Sequence, residues 1–434
     1  MKRKGKYMNK RLFKRRLIYV LILVLTAGAI FSVNYYYGNK ISQNLKNEIE
    51  KTAEENDYQI ETAEITANPL LREINVGKLN LINADRGNLE LDNINITTSW
   101  QQILYYIKNE NFDLNKDFTV VIDRIYFANI RESFQLTAEN VEADFEGEFA
   151  PEYFSDAEQF LVHDQNLNLT ADRLKYNFPY YRSYGLVKEN WEDISTFDNF
   201  KANYSFDAET KIMDINQLQL KNQFLDFAGS LHGKLIKLQN KNRVFFESLK
   251  TDYDLKLNGE NLVINENPIY RDFKFSTLTA SGEFDIFLED RDNITYRPNS
   301  FDFTAELTDF YLTLTNEIRE ELKENTFGIF GSSEDFAFRI DNMFYEQDYN
   351  YPEGHTYSEL NSPLIEAKLN AEYIYRGNNQ PYLNSGILKF KPLTDKAAGI
   401  VNILEMLYGK KLNRDKDGYI TIEAWGDMGN LQFK

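Results

Sequence analysis

The sequence contains no cysteine. That excludes disulfide staples, thiol chemistry and a cysteine-linked lipid anchor. Histidine is nearly absent too. His163, His232 and His355 stand far apart, in none of the spacings of a metal site such as H-E-x-x-H. Glycine-rich phosphate loops of the GxxxxGK[ST] or GxGxxG form are missing. With no nucleophile beside a base and no cofactor signature, we expect neither an enzyme nor a cofactor. Positive charge is short as well: 49 Lys and Arg face 67 Asp and Glu, for a net charge of -18. Nine of those basic residues lie in the first sixteen positions, which leaves 40 against 67, or about -27, for the remainder. Such a surface disfavours nucleic acid, which needs its phosphates neutralised. It also disfavours docking on anionic lipid head groups.

Long apolar runs are scarce, with a single exception. Residues 11 to 38 read RLFKRRLIYVLILVLTAGAIFSVNYYYG, and no charge falls between Leu17 and Tyr37. As a helix rising about 1.5 Å per residue, that stretch matches a hydrocarbon core of about 30 Å. Ala27-Gly28-Ala29 has the small-x-small form of a signal-peptidase site. The apolar run passes through it, however, to Ile30, Phe31 and Val33, and closes on Tyr35-Tyr36-Tyr37 as an interfacial aromatic belt. The reading is an uncleaved signal anchor with its basic flank in the cytoplasm. Residues 1–16 form a basic tail, 17–37 a transmembrane anchor, 39–56 a juxtamembrane helix and 58–434 an extracytoplasmic β-rich domain.

In the juxtamembrane segment Ile41, Leu45 and Ile49 recur at helical spacing. Beyond Tyr58 the period drops to two. Leu89-Glu-Leu91-Asp-Asn-Ile94-Asn-Ile96 alternates apolar with polar, with one extra residue in its middle. Val141 to Phe145, Leu167-Asn-Leu169, Leu218-Gln-Leu220, Tyr253 to Leu257, Phe273-Lys-Phe275, Phe301-Asp-Phe303, Leu312-Thr-Leu314 and Ile365 to Ala371 do likewise. Alternation puts one face of each strand in an apolar setting and the other in water. Asp85-Arg-Gly87, Asn258-Gly259 and Gly377-Asn-Asn379 supply turns. We expect a dozen or more short strands in antiparallel meanders, with no repeat and no domain linker. Three amphipathic helices interrupt them: Ser99 to Lys108, with Ile103, Leu104 and Ile107 on one face; Asn316 to Asn325; and Thr394 to Lys410. Residues 150 to 200 read as irregular, with a short helix near Val187 to Ile194.

One stretch has the look of a metal loop. Asn413, Asp415 and Asp417, with Gly418 and Ile420, fit the opening positions of an EF-hand. The twelfth position holds Ala424 instead of a bidentate Glu, and the following YITIEAW alternates as a strand. An Asp-Gly turn opening a hairpin is the stronger reading.

The order of elements carries a resemblance. ITANPLLREINVGKLNLI, GNLELDNINITTSWQQILYYI and FTVVIDRIYFANI give strands, a short amphipathic helix and a further strand behind a basic tail and an anchor. Near the C-terminus an amphipathic helix precedes a final hairpin, Tyr419 to Trp425 then Leu431-Gln-Phe433. This pattern resembles the AsmA-like proteins, including the TamB-type bridge-like lipid carriers, over about the first 130 and last 50 residues. The bacterial YdgA-like group shares the layout of anchor plus strands. The AsmA-like resemblance implies a mainly β, elongated antiparallel groove, lined by apolar side chains, outside the bacterial inner membrane. It implies phospholipid acyl chains as ligand, envelope or outer-membrane biogenesis as the setting, and no catalytic residues. Leu89, Leu91, Leu218, Leu220, Leu255, Leu257, Phe273 and Phe275 are the candidate lining. The alternating pattern equally allows a closed β-sandwich, as in an envelope scaffold that binds protein partners.

Overall fold

The structure is a computed structural model. It describes the chain except for residues 1–3, 56, 63, 84–86, 110–116, 130–133, 148–160, 178–194, 239–243, 261–269, 326–336, 377–379, 409–410 and 428. The turn expected at Gly377 to Asn379, the tyrosine-rich stretch from Tyr180 to Tyr184 and the helix expected near 187–194 therefore lie outside the described residues.

A single helix, α1 (Lys4–Glu55), opens the chain. The first strands are β1 (Gln59–Thr62), β2 (Ile65–Asn68), β3 (Glu73–Asn83) and β4 (Gly87–Thr98), followed by α2 (Trp100–Asn109). Then come β5 (Phe118–Ala128), β6 (Gln135–Gly147), β7 (Gln165–Asn177), β8 (Thr196–Asp207), β9 (Ile212–Lys221), β10 (Leu225–Lys237), β11 (Val244–Asn258), β12 (Tyr270–Lys274), β13 (Thr277–Asp290) and β14 (Thr295–Leu314). Helix α3 (Asn316–Asn325) leads to β15 (Ala337–Asn350), β16 (Glu353–Asn361), β17 (Ile365–Arg376) and β18 (Gln380–Pro392). Helix α4 (Asp395–Tyr408) precedes the closing hairpin, β19 (Ile420–Asp427) and β20 (Asn430–Phe433).

All 20 strands join one antiparallel sheet. Each long strand pairs with its neighbours in the chain, so the sheet is a plain meander. β1 and β2 share the same edge of β3, and β12 and β13 the same edge of β14. The outermost strands β1, β2 and β20 have four residues each. Short edges of this kind limit strand addition by other chains. Among the described residues the strands form this one sheet and no second.

The strands are longer than their sequence suggested. Phe301-Asp-Phe303 and Leu312-Thr-Leu314, which read as two stripes, belong to the 20-residue β14. The alternation slips between them at Asp309, which adopts φ 51°. Residues 165–177 and 196–200, inside the segment expected to be irregular, are strand. Three expected helices form where predicted, with one correction. In α2 the inward residues are Ile103 and Tyr106, while Leu104 is 62% exposed. Asn44 donates to the Tyr106 hydroxyl at 2.8 Å, which draws the ring inward. Thr394 caps α4: its Oγ1 accepts from Ala397 N at 3.2 Å.

The Asn413–Gly418 loop is a turn. Asp415 accepts backbone N–H groups of Asp417 and Tyr419 on one carboxylate oxygen, at 2.9 and 2.8 Å. Gly418 takes φ +87°, and the loop opens onto β19.

Candidate functional site

The strand register sorts the side chains into two faces, because directly opposed residues point the same way. One face is apolar across the sheet. Leu91, Ile125, Ala138, Leu174 and Phe197 oppose one another on β4 to β8. Farther along, Leu225, Leu257, Leu278, Leu307, Met343, Leu360, Ala367, Phe390 and Ile420 form a second row from β10 to β19.

The eight sequence-derived lining residues fall into this pattern. Leu89 and Leu91 oppose Phe127 and Ile125. Leu218 and Leu220 oppose Gly229 and Phe227. Leu255 opposes Phe227 and Ala280, and Leu257 opposes Leu225 and Leu278. Phe273 opposes Leu312 and packs edge-on against Phe275 and Phe310, at 6.0 and 5.4 Å between centroids. These eight are spread along the whole sheet and do not converge on one pocket. Tyrosines that the sequence reading passed over add to the face: Tyr349, Tyr373 and Tyr375 stack or meet edge-on in succession after Phe301.

The apolar face is only partly screened. In β11, from Lys250 to Leu257, exposed and half-buried residues alternate, and the half-buried ones are Thr251, Tyr253, Leu255 and Leu257. Among the described residues helices enclose the two ends, and between them the tightest packing is local, as where Leu161 meets Phe206 and Leu235. α1 and α2 enclose Ile41, Ile74 and Tyr106 against the first strands. At the other end α4 encloses Val401 with Phe390 and Ile420. The total accessible surface is 28341 Å². A compact monomer of 51.0 kDa would expose about 17,000 Å².

The opposite face is charged. Lys78, Asp92, Arg124, Glu139, Arg173, Asp198, Lys221, Asp226 and Lys256 oppose one another in order from β3 to β11, with alternating sign. Several close as ion pairs: Arg124 with Asp92 at 3.4 Å, Arg173 with Glu139 at 3.6 Å and with Asp198 at 3.7 Å. Tyrosines report the contrast between faces. Burial pushes the hydroxyl pKa of Tyr204 up to about 12 and raises those of Tyr176, Tyr253, Tyr349 and Tyr373 on the apolar side. Tyr357 and Tyr419 are raised first by hydrogen bonds to Glu359 and Glu366.

Beside the charged row runs a second one, which reveals an internal repeat. Val76-Gly-Lys-Leu79, Leu91-Asp-Asn-Ile94, Ile122-Asp-Arg-Ile125, Ala138-Glu-Asn-Val141, Ala171-Asp-Arg-Leu174 and Phe197-Asp-Asn-Phe200 lie opposite one another on β3 to β8. In each, one extra residue sits between inward positions. Asn93, Asn140 and Asn199 absorb it with φ of 52°, 51° and 56°. Asn93 and Asn140 then donate to the opposed Asp123 and Asp172 at 2.8 and 2.9 Å. Because every strand slips at the same row, the two faces stay segregated. The extra residue noticed in β4 was the visible tip of this pattern. Direct comparison of tetrapeptides, apolar then acid then Asn or Arg then apolar, finds the rest from β4 to β8.

No protein-family model, no curated protein and no solved structure matches the chain.

Among the described residues no helix is long and apolar enough to cross a membrane. The side chains of 17–22, the start of the apolar run, lie outside the described residues. Much of the rest of that run is exposed: Leu23, Leu25, Phe31 and Tyr35 are 64–72% exposed.

Proposed function

We propose that the protein is a single-pass, inner-membrane-anchored component of a bacterial envelope that holds or transfers phospholipid acyl chains on its apolar sheet face. The observation that carries this reading is the apolar face that stays half-exposed over much of the described sheet, backed by a face crossed by a row of alternating charges. Water contact on so much Leu, Ile and Phe surface is costly, and a ligand of the same chemistry relieves it. Each buried CH₂ contributes about 0.8 kcal/mol, so apolar contact alone suffices to retain a chain. The exposed apolar stretch of α1 supports the anchor, with the sheet on the extracytoplasmic side. The element order shared with AsmA-like proteins supports the same function.

Native mass spectrometry of the detergent-extracted full chain, with lipid extraction, tests it. Co-purifying phospholipid at a reproducible ratio is expected. That ratio falls in a variant carrying Leu218→Glu, Leu220→Glu and Leu255→Glu. A lipid-free mass for the parent chain would overturn the lipid reading and leave a scaffold that binds envelope proteins.

A further inference from the structure

The β2–β3 turn is tied to α1 at a height that matters. The Asn34 carboxamide oxygen accepts Leu70 N at 2.7 Å, and its nitrogen donates to Asn68 Oδ1 at 3.0 Å. One turn farther on, a Cβ at Gly38 would collide with the Ala67 carbonyl oxygen, so only glycine lets the helix and β2 touch here. Asn34 lies inside the charge-free run that ends at Tyr37. At about 1.5 Å per residue it stands some 4–5 Å within the end of that run. When the run spans a bilayer, Leu70 and Leu71 stand at the level of its interface.

What surrounds that level is apolar. Leu70, Leu71, Trp100 and Leu104 are 44–62% exposed. Between α1, the turn and α2 lies a cleft of ≈ 290 Å³, lined by residues that include Ile30, Val33, Tyr37, Leu70, Trp100 and Ile107. It has no charged lining residue, and its one amide, Asn34, is spent on the turn. Two larger clefts elsewhere are lined by Asp348 and Glu372, and by Glu139 and Arg173. Water-filled clefts tolerate charges, whereas one facing hydrocarbon does not.

We propose that this foot is a lipid-binding surface. The turn and α2 sink into the leaflet on the sheet's side of the membrane, and the cleft holds one acyl chain of a leaflet phospholipid. The inference rests on the anchored reading and adds a second point of contact to it. Trp100 marks the interface, where its amphipathic ring is at home.

The test uses the full chain with Trp191→Phe and Trp425→Phe, which leaves Trp100 as the sole tryptophan. It is reconstituted into phosphatidylcholine vesicles doped with phosphatidylcholine brominated on one acyl chain. Trp100 fluorescence is expected to fall as brominated lipid is added, most for bromine near the glycerol end, and to resist acrylamide. Adding Leu70→Glu and Leu104→Glu, both at exposed positions, removes the bromine effect while circular dichroism stays unchanged. A Trp100 that ignores bromine and is open to acrylamide, in a chain that survives alkaline washing of the vesicles, overturns the foot and spares the anchor. A chain released by that wash overturns the anchored reading beneath it. Protection from acrylamide without bromine quenching, in a crosslinked dimer, assigns the surface to a second copy and also overturns the proposal.

Discussion

The two ends of the sheet and its middle share one residue pattern and differ in what covers it. Ile74 and Ile420 are 5% and 0% exposed where α1 and α4 pack, whereas Leu218, Leu255 and Leu257, on the same apolar face, stay half-buried. Alternation with period two names the face of a strand that avoids water. It does not say what lies against that face. Among the described residues helices pack on the first strands and the last, and between them half-buried stretches such as β11 alternate with local clusters such as Leu161, Phe206 and Leu235.

The contrast is sharpest in substitutions. Ile420→Ala removes a fully enclosed side chain, and thermal unfolding should show a loss of about 2–5 kcal/mol. Next comes the bulge row. Asn140→Val forces a β-branched residue into left-handed backbone at a cost of about 1–3 kcal/mol, seen as a lower urea midpoint, while Asn140→Gly keeps the midpoint. Leu255→Ala in the uncovered middle should cost about 1 kcal/mol or less, since much of its side chain already meets water. A Leu255→Ala variant as damaged as Ile420→Ala would erase the difference between middle and ends. Arg173→Glu on the charged face should shift stability by less than about 1 kcal/mol, and less again in high salt.

The last comparison is between tyrosines. A hydroxyl whose folded pKa is raised adds stability fully present below the unfolded value, near 10, and lost as pH climbs through the folded one. For Tyr204 that window runs from about 10 to about 12. Ultraviolet difference titration should find a late-ionising tyrosine that Tyr204→Phe removes. If every tyrosine ionises together near pH 10, the apolar face is wetter than its geometry says.

Much of the fold was legible in sequence. Strand alternation, the three short helices and the closing hairpin followed from periodicity and turn residues. The candidate lining fell on one face because two-residue spacing fixes direction locally. Strand length was not legible, because residues such as Asp309 interrupt the alternation without ending the strand. Nor was the repeat, because it is four residues long, its apolar positions vary from Ala to Phe, and its members are unevenly spaced, starting at Leu91, Ile122, Ala138, Ala171 and Phe197. Leu104 was misassigned because helical spacing allows two apolar stripes on α2, and the choice rests on the distant Asn44.

The meander has a consequence for how such a sheet comes to exist and how long it can be. Each long strand needs only the long strand made just before it, so loop closures are short and growth can follow the chain. From β4 to β8 each strand also receives a row of acid followed by asparagine or arginine from one neighbour and offers it to the next. Such a unit can be copied in tandem without redesigning its neighbours, much as in a one-dimensional array. The reach of the sheet is then set by the number of hairpins the gene encodes, a quantity that duplication or deletion of one hairpin changes in a single step.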